Sequence, residues 1–386
     1  METGSPLAGR AGMVCAAAVF ATYVHHLDPI ALKAGFLTLR WYGLAYLGGF
    51  AAGYLLLKYL ATRKLWVLKP EEAGDFIAAA ALLGVFIGGR LGYVLFYQIL
   101  ESAQKRAEVF HDPLSILRVW EGGMASHGGI LGLFIFTWFY AKKKKVAWTA
   151  LGDGLCVVAP VGLFFGRIAN FWNGELYGLR VKEGAVPWAM KFPLALNDGK
   201  APESANFYEA LNAGTVKVME LASSGHLPKS LMTEGGGNPI LVNAVDAMNR
   251  VPVQDDAFRV VSHQAFDALL EANRQLPEMR TVLEPYLEPR HPSQLYEAGL
   301  EGVALFAILW FVRLKFPKAP NGLLTGLFFA LYALFRIIGE NFREPDAAMF
   351  GPLSKGQFLS FFMFVFAAAF FVHAWRGWKK MEDSKT

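Results

Sequence analysis

Two stretches decide how this chain is read: GRIANFWNGELYG (166–178) and YALFRIIGENFREPD (332–346). Each lies in or at the end of an apolar run about long enough to cross a bilayer, yet each carries arginine and glutamate there. A charge at that depth costs at least a few kcal/mol, so an intramembrane Arg or Glu marks a site by default. Arg167 and Asn170 are three residues apart and share a helical face; Asn173-Gly174 then breaks the helix, and Glu175 follows in the turn. Tyr332, Arg336, Glu340 and Arg343 are spaced four, four and three, forming one polar stripe on an apolar helix. Such a stripe faces the bundle interior, where an Arg336–Glu340 pair would join spans while orienting Arg336. The plainer alternatives are an Arg167 that snorkels from a helix end and pairs with Glu175, and a stripe that only holds spans together. Arginine suits phosphate because its planar fork donates two parallel hydrogen bonds and stays charged when desolvated. Several such arginines point to a phospholipid headgroup or another anion.

Composition agrees with a membrane protein. The chain of 386 residues is 54% hydrophobic and 18% charged, against roughly a quarter charged in ordinary soluble domains. Its mean hydropathy is +0.32. A net charge of +5 gives no reason to invoke nucleic acid. Cys15 and Cys156 cannot support a disulfide framework, and no Cys/His spacing resembles a zinc site. Cys156 reads as a small buried hydrophobe, and Cys15 lacks the small preceding residue of a lipoprotein processing site.

The fold class is all-α and polytopic. Apolar segments at 41–60, 76–100, 127–140, 148–172, 295–312, 323–342 and 357–375 give about seven transmembrane helices. The 25–40 region reads as a segment lying against the membrane before the first span. Short connections on one side hold Arg63, Lys64, Lys69, Lys142 to Lys145, Arg313, Lys315, Lys318, Arg376, Lys379, Lys380 and Lys385. The opposite side holds Lys105, Arg106, Arg118 and Lys355. The basic side is expected in the cytoplasm, with the N-terminus outside and the C-terminus inside. The organisation is then a membrane domain of four spans (1–178), an extracytoplasmic cap (179–290), and three further spans with a cytoplasmic tail (291–386). The cap stretch 203–256 holds none of the intramembrane polar groups and is expected to be peripheral to any chemistry.

Three more motifs carry polar groups. WEGGMASHGGILG (120–132) sets His127 among small residues at a span entry, and histidine is the side chain suited to take a proton near neutral pH. A lone interfacial histidine is more often structural. GGRLGYVLFY (88–97) places Arg90 with Tyr93 and Tyr97 on its face. HPSQLYEAGLEG (291–302) opens a span at Pro292 and lines Gln294, Glu297 and Glu301 along an interior stripe; its His291 is the fallback imidazole.

Together with WYG (41–43), these motifs in this order resemble the bacterial phosphatidylglycerol–prolipoprotein diacylglyceryl transferases over about 41–375, apart from 179–290. The resemblance implies transfer of the diacylglyceryl group of phosphatidylglycerol to the lipobox cysteine of a prolipoprotein signal peptide, releasing glycerol phosphate. It implies His127, Arg336, Glu340 and Tyr332 as catalytic. It implies Arg167, Asn170, Glu175, Gly178, Tyr42 and Arg90 as phosphatidylglycerol-binding, with membrane lipid as surroundings. No metal, redox cofactor or nucleic acid is expected, and the location is the bacterial cytoplasmic (inner) membrane. Ala169, where the signature often has Gly, and the long outer insertion depart from the pattern. The competing classes are a lipid or anion transporter or flippase without chemistry, and a scaffold whose charges only hold spans together.

Overall fold

A computed structural model describes residues 22–35, 37–119, 122–344 and 354–383. Cys15, Trp120, Pro345 and Asp346 lie outside the described residues. Six helices are long and apolar enough to cross a membrane: α1 (Trp41–Thr62), α2 (Glu72–Ile99), α5 (Trp148–Asn173), α10 (Ser293–Lys315), α11 (Leu323–Glu340) and α12 (Lys355–Asp383). The third expected span corresponds to α4 (Ser126–Lys144), about 28 Å long at 1.5 Å per residue and ending in three lysines. α3 (Ala103–His111) connects α2 to it.

Helix α5 is the hub, touching α1, α10 and α11 along its length. Near its start an apolar core gathers Leu57, Leu60, Leu151, Val157, Leu305, Leu309 and Leu324. Asp153 is buried beside this core, and its carboxylate accepts from the amides of Gly322 and Thr325 at 2.8 Å and from the Thr325 hydroxyl at 2.7 Å. It thereby serves the unpaired N–H groups at the start of α11, where Gly322 has a positive φ of 94°. On the far side of the bundle α2 and α4 meet through glycines. A Cβ on Gly88 would come 2.8 Å from the Cα of Gly132, and Gly92 and Gly128 abut as closely. Exposed apolar side chains such as Leu47, Leu82, Phe361 and Val365 cover the outer faces of the spans, as a lipid solvent requires.

The cap is built on β4 (Met190–Lys191) and helices α6 (Phe207–Ser223), α7 (Ile240–Asn249), α8 (Asp256–Gln275) and α9 (Pro277–Leu283). Its own core includes Leu211, Leu241, Val245, Phe266, Leu269, Met279 and Leu283. Val24 joins that core from the other end of the chain, because β1 (Tyr23–Val24) pairs in parallel with β4. His25 continues the contact: its amide donates to Lys191 at 2.8 Å, and its carbonyl accepts from Asn273 at 2.9 Å. The expectation that 25–40 simply lies against the membrane is therefore revised. Its first residues belong to the cap, and only the hairpin β2 (Ile30–Ala34) and β3 (Leu37–Arg40) leads into α1.

Candidate active site

The polar stripes of three spans meet at one place. From α5, Arg167 donates to Glu301 Oε2 through Nε at 3.2 Å and Nη2 at 2.9 Å, and its Nη1 lies 2.9 Å from Glu297. From α11, Arg336 donates to Glu297 Oε1 at 2.7 Å and pairs with Glu340 one turn below. Arg343 reaches the same Glu297 oxygen at 3.2 Å. Tyr332 sits in the field of Glu301, Arg167, Arg336 and Glu297. Glu297 and Glu301 have no exposed side-chain surface, whereas Arg167 and Arg336 each keep 15%. Three arginines thus face three glutamates, which satisfies the requirement that buried charge be paired. One gap is left in the cluster: among the described residues Glu301 Oε1 has no hydrogen-bond partner, Arg336 Nη1 standing 3.5 Å away.

The plainer alternative, an Arg167 paired with Glu175, does not hold: its partners are the glutamates of α10, which the polar stripe of HPSQLYEAGLEG supplies. The expected Arg336–Glu340 pair does form, yet Glu297 binds Arg336 as well. Gly356 at the start of α12 covers this pair. A Cβ there would collide with the Glu340 carboxylate and lie 3.2 Å from Arg336 Nε.

Glu175 lies in the turn after α5, which ends in the left-handed Gly174 (φ 72°). Its carboxylate accepts from Asn170 Nδ2 at 2.7 Å, and its carbonyl accepts from Gln294 at 2.6 Å. Asn170 and Glu175 are therefore brought together as expected. Tyr42 packs on Tyr46 with ring centroids 5.2 Å apart, and Tyr46 in turn feels the charge of Glu175. Gly178 is held from both sides: its amide donates to the His291 carbonyl at 2.9 Å, and a Cβ would collide with the Phe342 and His291 carbonyls. That crowding explains why glycine stands there. Residues 177–181 form a strap tied to 289–291 and to 342–344 by backbone hydrogen bonds. A cavity of about 320 Å³ opens between this strap and the cap, lined by Glu175, Tyr177, Asp198, Lys200 and Glu344 among others.

Arg90 and His127 lie on the α2–α4 pair instead. Arg90 is buried and donates to the carbonyls of Ser115 (2.7 Å), Ile116 (2.8 Å), Gly122 (2.5 Å) and Gly123 (3.0 Å). Through these carbonyls its guanidinium organises the loop ahead of α4. His127 is the second residue of α4 and is exposed. The glycines that follow it admit the backbone of α2. His291, the fallback, has its Nδ1 3.1 Å from the Tyr296 hydroxyl, and partial burial lowers its pKa.

Sequence reasoning missed Arg290, the largest fully buried side chain of the molecule's described residues. Its fork grips both oxygens of Glu203 at 2.7 Å, and its Nη1 donates to the Gly178 carbonyl at 3.1 Å and to Glu344 at 2.9 Å. The guanidinium also stacks over Tyr177, 4.7 Å from the ring centroid. Glu203 belongs to the stretch expected to be peripheral to the chemistry, and through it the cap is bolted to the strap. An Arg-His-Pro sequence before an apolar run gave no signal, since its partners are distant in sequence.

A family model described as prolipoprotein diacylglyceryl transferase matches residues 29–373. The chain is 38% identical over 347 residues to the phosphatidylglycerol–prolipoprotein diacylglyceryl transferase of Bdellovibrio bacteriovorus, covering 89% of this chain and 91% of that protein. It is 34% identical to the enzyme of that name from Geobacter sulfurreducens, covering 88% and 92% respectively. The one from Rhodopseudomonas palustris is 33% identical, covering 92% and 93%. With the intramembrane arginine–glutamate cluster in place and the match running through all the spans that build it, the chain belongs to the prolipoprotein diacylglyceryl transferase family.

Proposed function

We propose that this chain transfers the diacylglyceryl group of phosphatidylglycerol to the lipobox cysteine thiol of a prolipoprotein at the outer half of the bacterial inner membrane. The observation that carries the reading is the cluster of Arg167, Arg336 and Arg343 against Glu297, Glu301 and Glu340, inside the apolar spans of a member of this family. In the reaction the substrate sulfur forms a bond to glycerol C3, and the C3–O bond breaks. The electron pair leaves with glycerol phosphate, and the thiol proton goes to a base.

The roles combine the charges of the cluster with what the family resemblance implies. Arg167 and Arg336, the cluster arginines that keep more exposed surface, take the phosphate and stabilise the charge it gains on leaving. Asn170, Glu175 and Tyr42 hold the hydroxyl-bearing headgroup, and Gly178 keeps the strap close enough for them to do so. Tyr332 and Glu340 orient the two arginines, and His127 is the base. A thiol of pKa about 8.5 is mostly protonated near neutral pH, which is why a base is needed. Seven spans with the N-terminus outside fit α4 as a short span, and the Lys144–Glu72 contact puts the starts of α2 and the end of α4 on one side. Incubating the purified protein with phosphatidylglycerol and a lipobox peptide tests the proposal. A peptide heavier by the diacylglyceryl group, with glycerol phosphate released in equal amount, supports it. Unmodified peptide alongside movement of lipid across the bilayer would favour a flippase instead.

A further inference from the structure

Among the side chains that join the cap to the membrane domain, Arg290 has no exposed surface. Four groups converge on it from three directions: Glu203 from the cap, Tyr177 and Gly178 from the strap, and Glu344 from the end of α11. The backbone follows the same pattern. Arg290 exchanges hydrogen bonds with Met190 of the cap, while Leu179 donates to the Phe342 carbonyl at 2.9 Å and Glu344 donates to the Tyr177 carbonyl at 3.3 Å. Both ends of this clamp are covalently next to site groups. Glu344 adjoins Arg343, which bonds Glu297 in the charge cluster, and the strap begins two residues after Glu175. A buried ion pair is a poor device for stability alone, because apolar residues of similar volume hold as well or better. What the fork adds is direction, since its parallel bonds fix the partner's plane as well as its distance.

We infer that Arg290, gripped by Glu203, is a positioning residue for the transfer reaction, through which the cap sets the placement of the strap and of Arg343 around the lipid headgroup. This rests on the transferase reading. The clamp does not touch substrate; it acts through Glu175 and Arg343. Its loss is therefore felt in headgroup binding and not in the peptide. A role confined to holding the fold together would instead reduce the amount of active enzyme and leave both Michaelis constants alone.

The test uses full-length enzyme in detergent micelles, with phosphatidylglycerol and a lipobox peptide varied separately. Glu344→Gln is the mild variant, because Glu344 is 27% exposed and Arg290 keeps Glu203. Arg290→Lys keeps the charge but not the fork. Both are expected to raise KM for phosphatidylglycerol, by about fivefold and at least about tenfold respectively, with KM for the peptide changed less than about twofold. The unfolding midpoint of Glu344→Gln stays at the wild-type value. An unchanged lipid KM in Glu344→Gln overturns the inference. So does a fall in kcat and in the unfolding midpoint with both KM values constant. If the wild type yields no thioether at all, the transferase reading fails first. Native mass spectrometry of phosphatidylglycerol binding then judges the clamp: weaker binding by Glu344→Gln supports it, and equal binding overturns it.

Discussion

Arg90 on the α2–α4 pair and Arg336 in the α5–α10–α11 cluster look alike in sequence, each an arginine among apolar residues, but they are held in opposite ways. Arg90 is wrapped by four backbone carbonyls, neutral acceptors in a fixed loop. Arg336 is held by carboxylates on side chains of α10 and α11, next to an oxygen of Glu301 that lacks a hydrogen-bond partner among the described residues. Carbonyl partners cannot be exchanged without unfolding the loop. Carboxylates that share arginines can re-pair around an incoming phosphate, because another arginine stands within reach. An arginine wrapped by loop carbonyls holds that loop, whereas one shared among carboxylates can turn to an incoming phosphate.

The largest effect should separate the two kinds. Arg167→Lys keeps a charge beside Glu301 but loses the fork, and transfer should fall by about 10³, the scale of a lost oxyanion contact. Arg90→Lys should instead lower stability, by about 2 kcal/mol or more for its lost carbonyl bonds, with the rate per folded molecule close to wild type. Thioether formation and thermal unfolding, measured on both variants, decide it. A large rate loss in folded Arg90→Lys would break the comparison.

Acid should act on the cap side. His25 is buried against Phe171, Phe192 and Gly174, and burial pulls its pKa from 6.5 down to about 4. Folded His25 therefore stays neutral where the unfolded chain takes up a proton. Its contribution is complete above pH 6.5 and is lost as pH falls toward 4, by about 3 kcal/mol. His25→Gln places an amide nitrogen near the Nε2 position that meets the Phe171 carbonyl, and its unfolding midpoint should fall less steeply over that range. Parallel curves for the two proteins would count against the assignment.

His127 lies on the same α2–α4 pair as Arg90 but is itself exposed. As base it acts only when neutral, so the rate should climb with pH and then level off. His127→Gln should lower turnover by about 10² and abolish the low-pH limb while phosphatidylglycerol binding persists. A variant that keeps both the limb and the rate would make His127 structural and leave thiolate formation to the arginines.

The smallest expected effect lies inside the cluster. Arg336→Met and Glu340→Leu together should destabilise less than the sum of the singles, by about 1 kcal/mol. The saving is limited because Glu297 holds Arg336 too, so the double variant still removes one cation from that glutamate. Additive unfolding free energies would mean that Glu297, not Glu340, is the partner that matters.

The sequence by itself determined the membrane class, six of the apolar spans, and the inward polar stripes of α10 and α11, because hydropathy and three-to-four spacing are local properties of a helix. It also placed Asn170 with Glu175 and Arg336 with Glu340, which are near one another along the chain. Only the tertiary structure decided which carboxylates neutralise Arg167, that Arg90 is consumed by loop carbonyls, and that Glu203 of the outer insertion reaches Arg290. Those partners lie 134, 26 and 87 residues apart. Periodicity fixes where a side chain points around its own helix, but the charge that meets it is set by how distant helices pack.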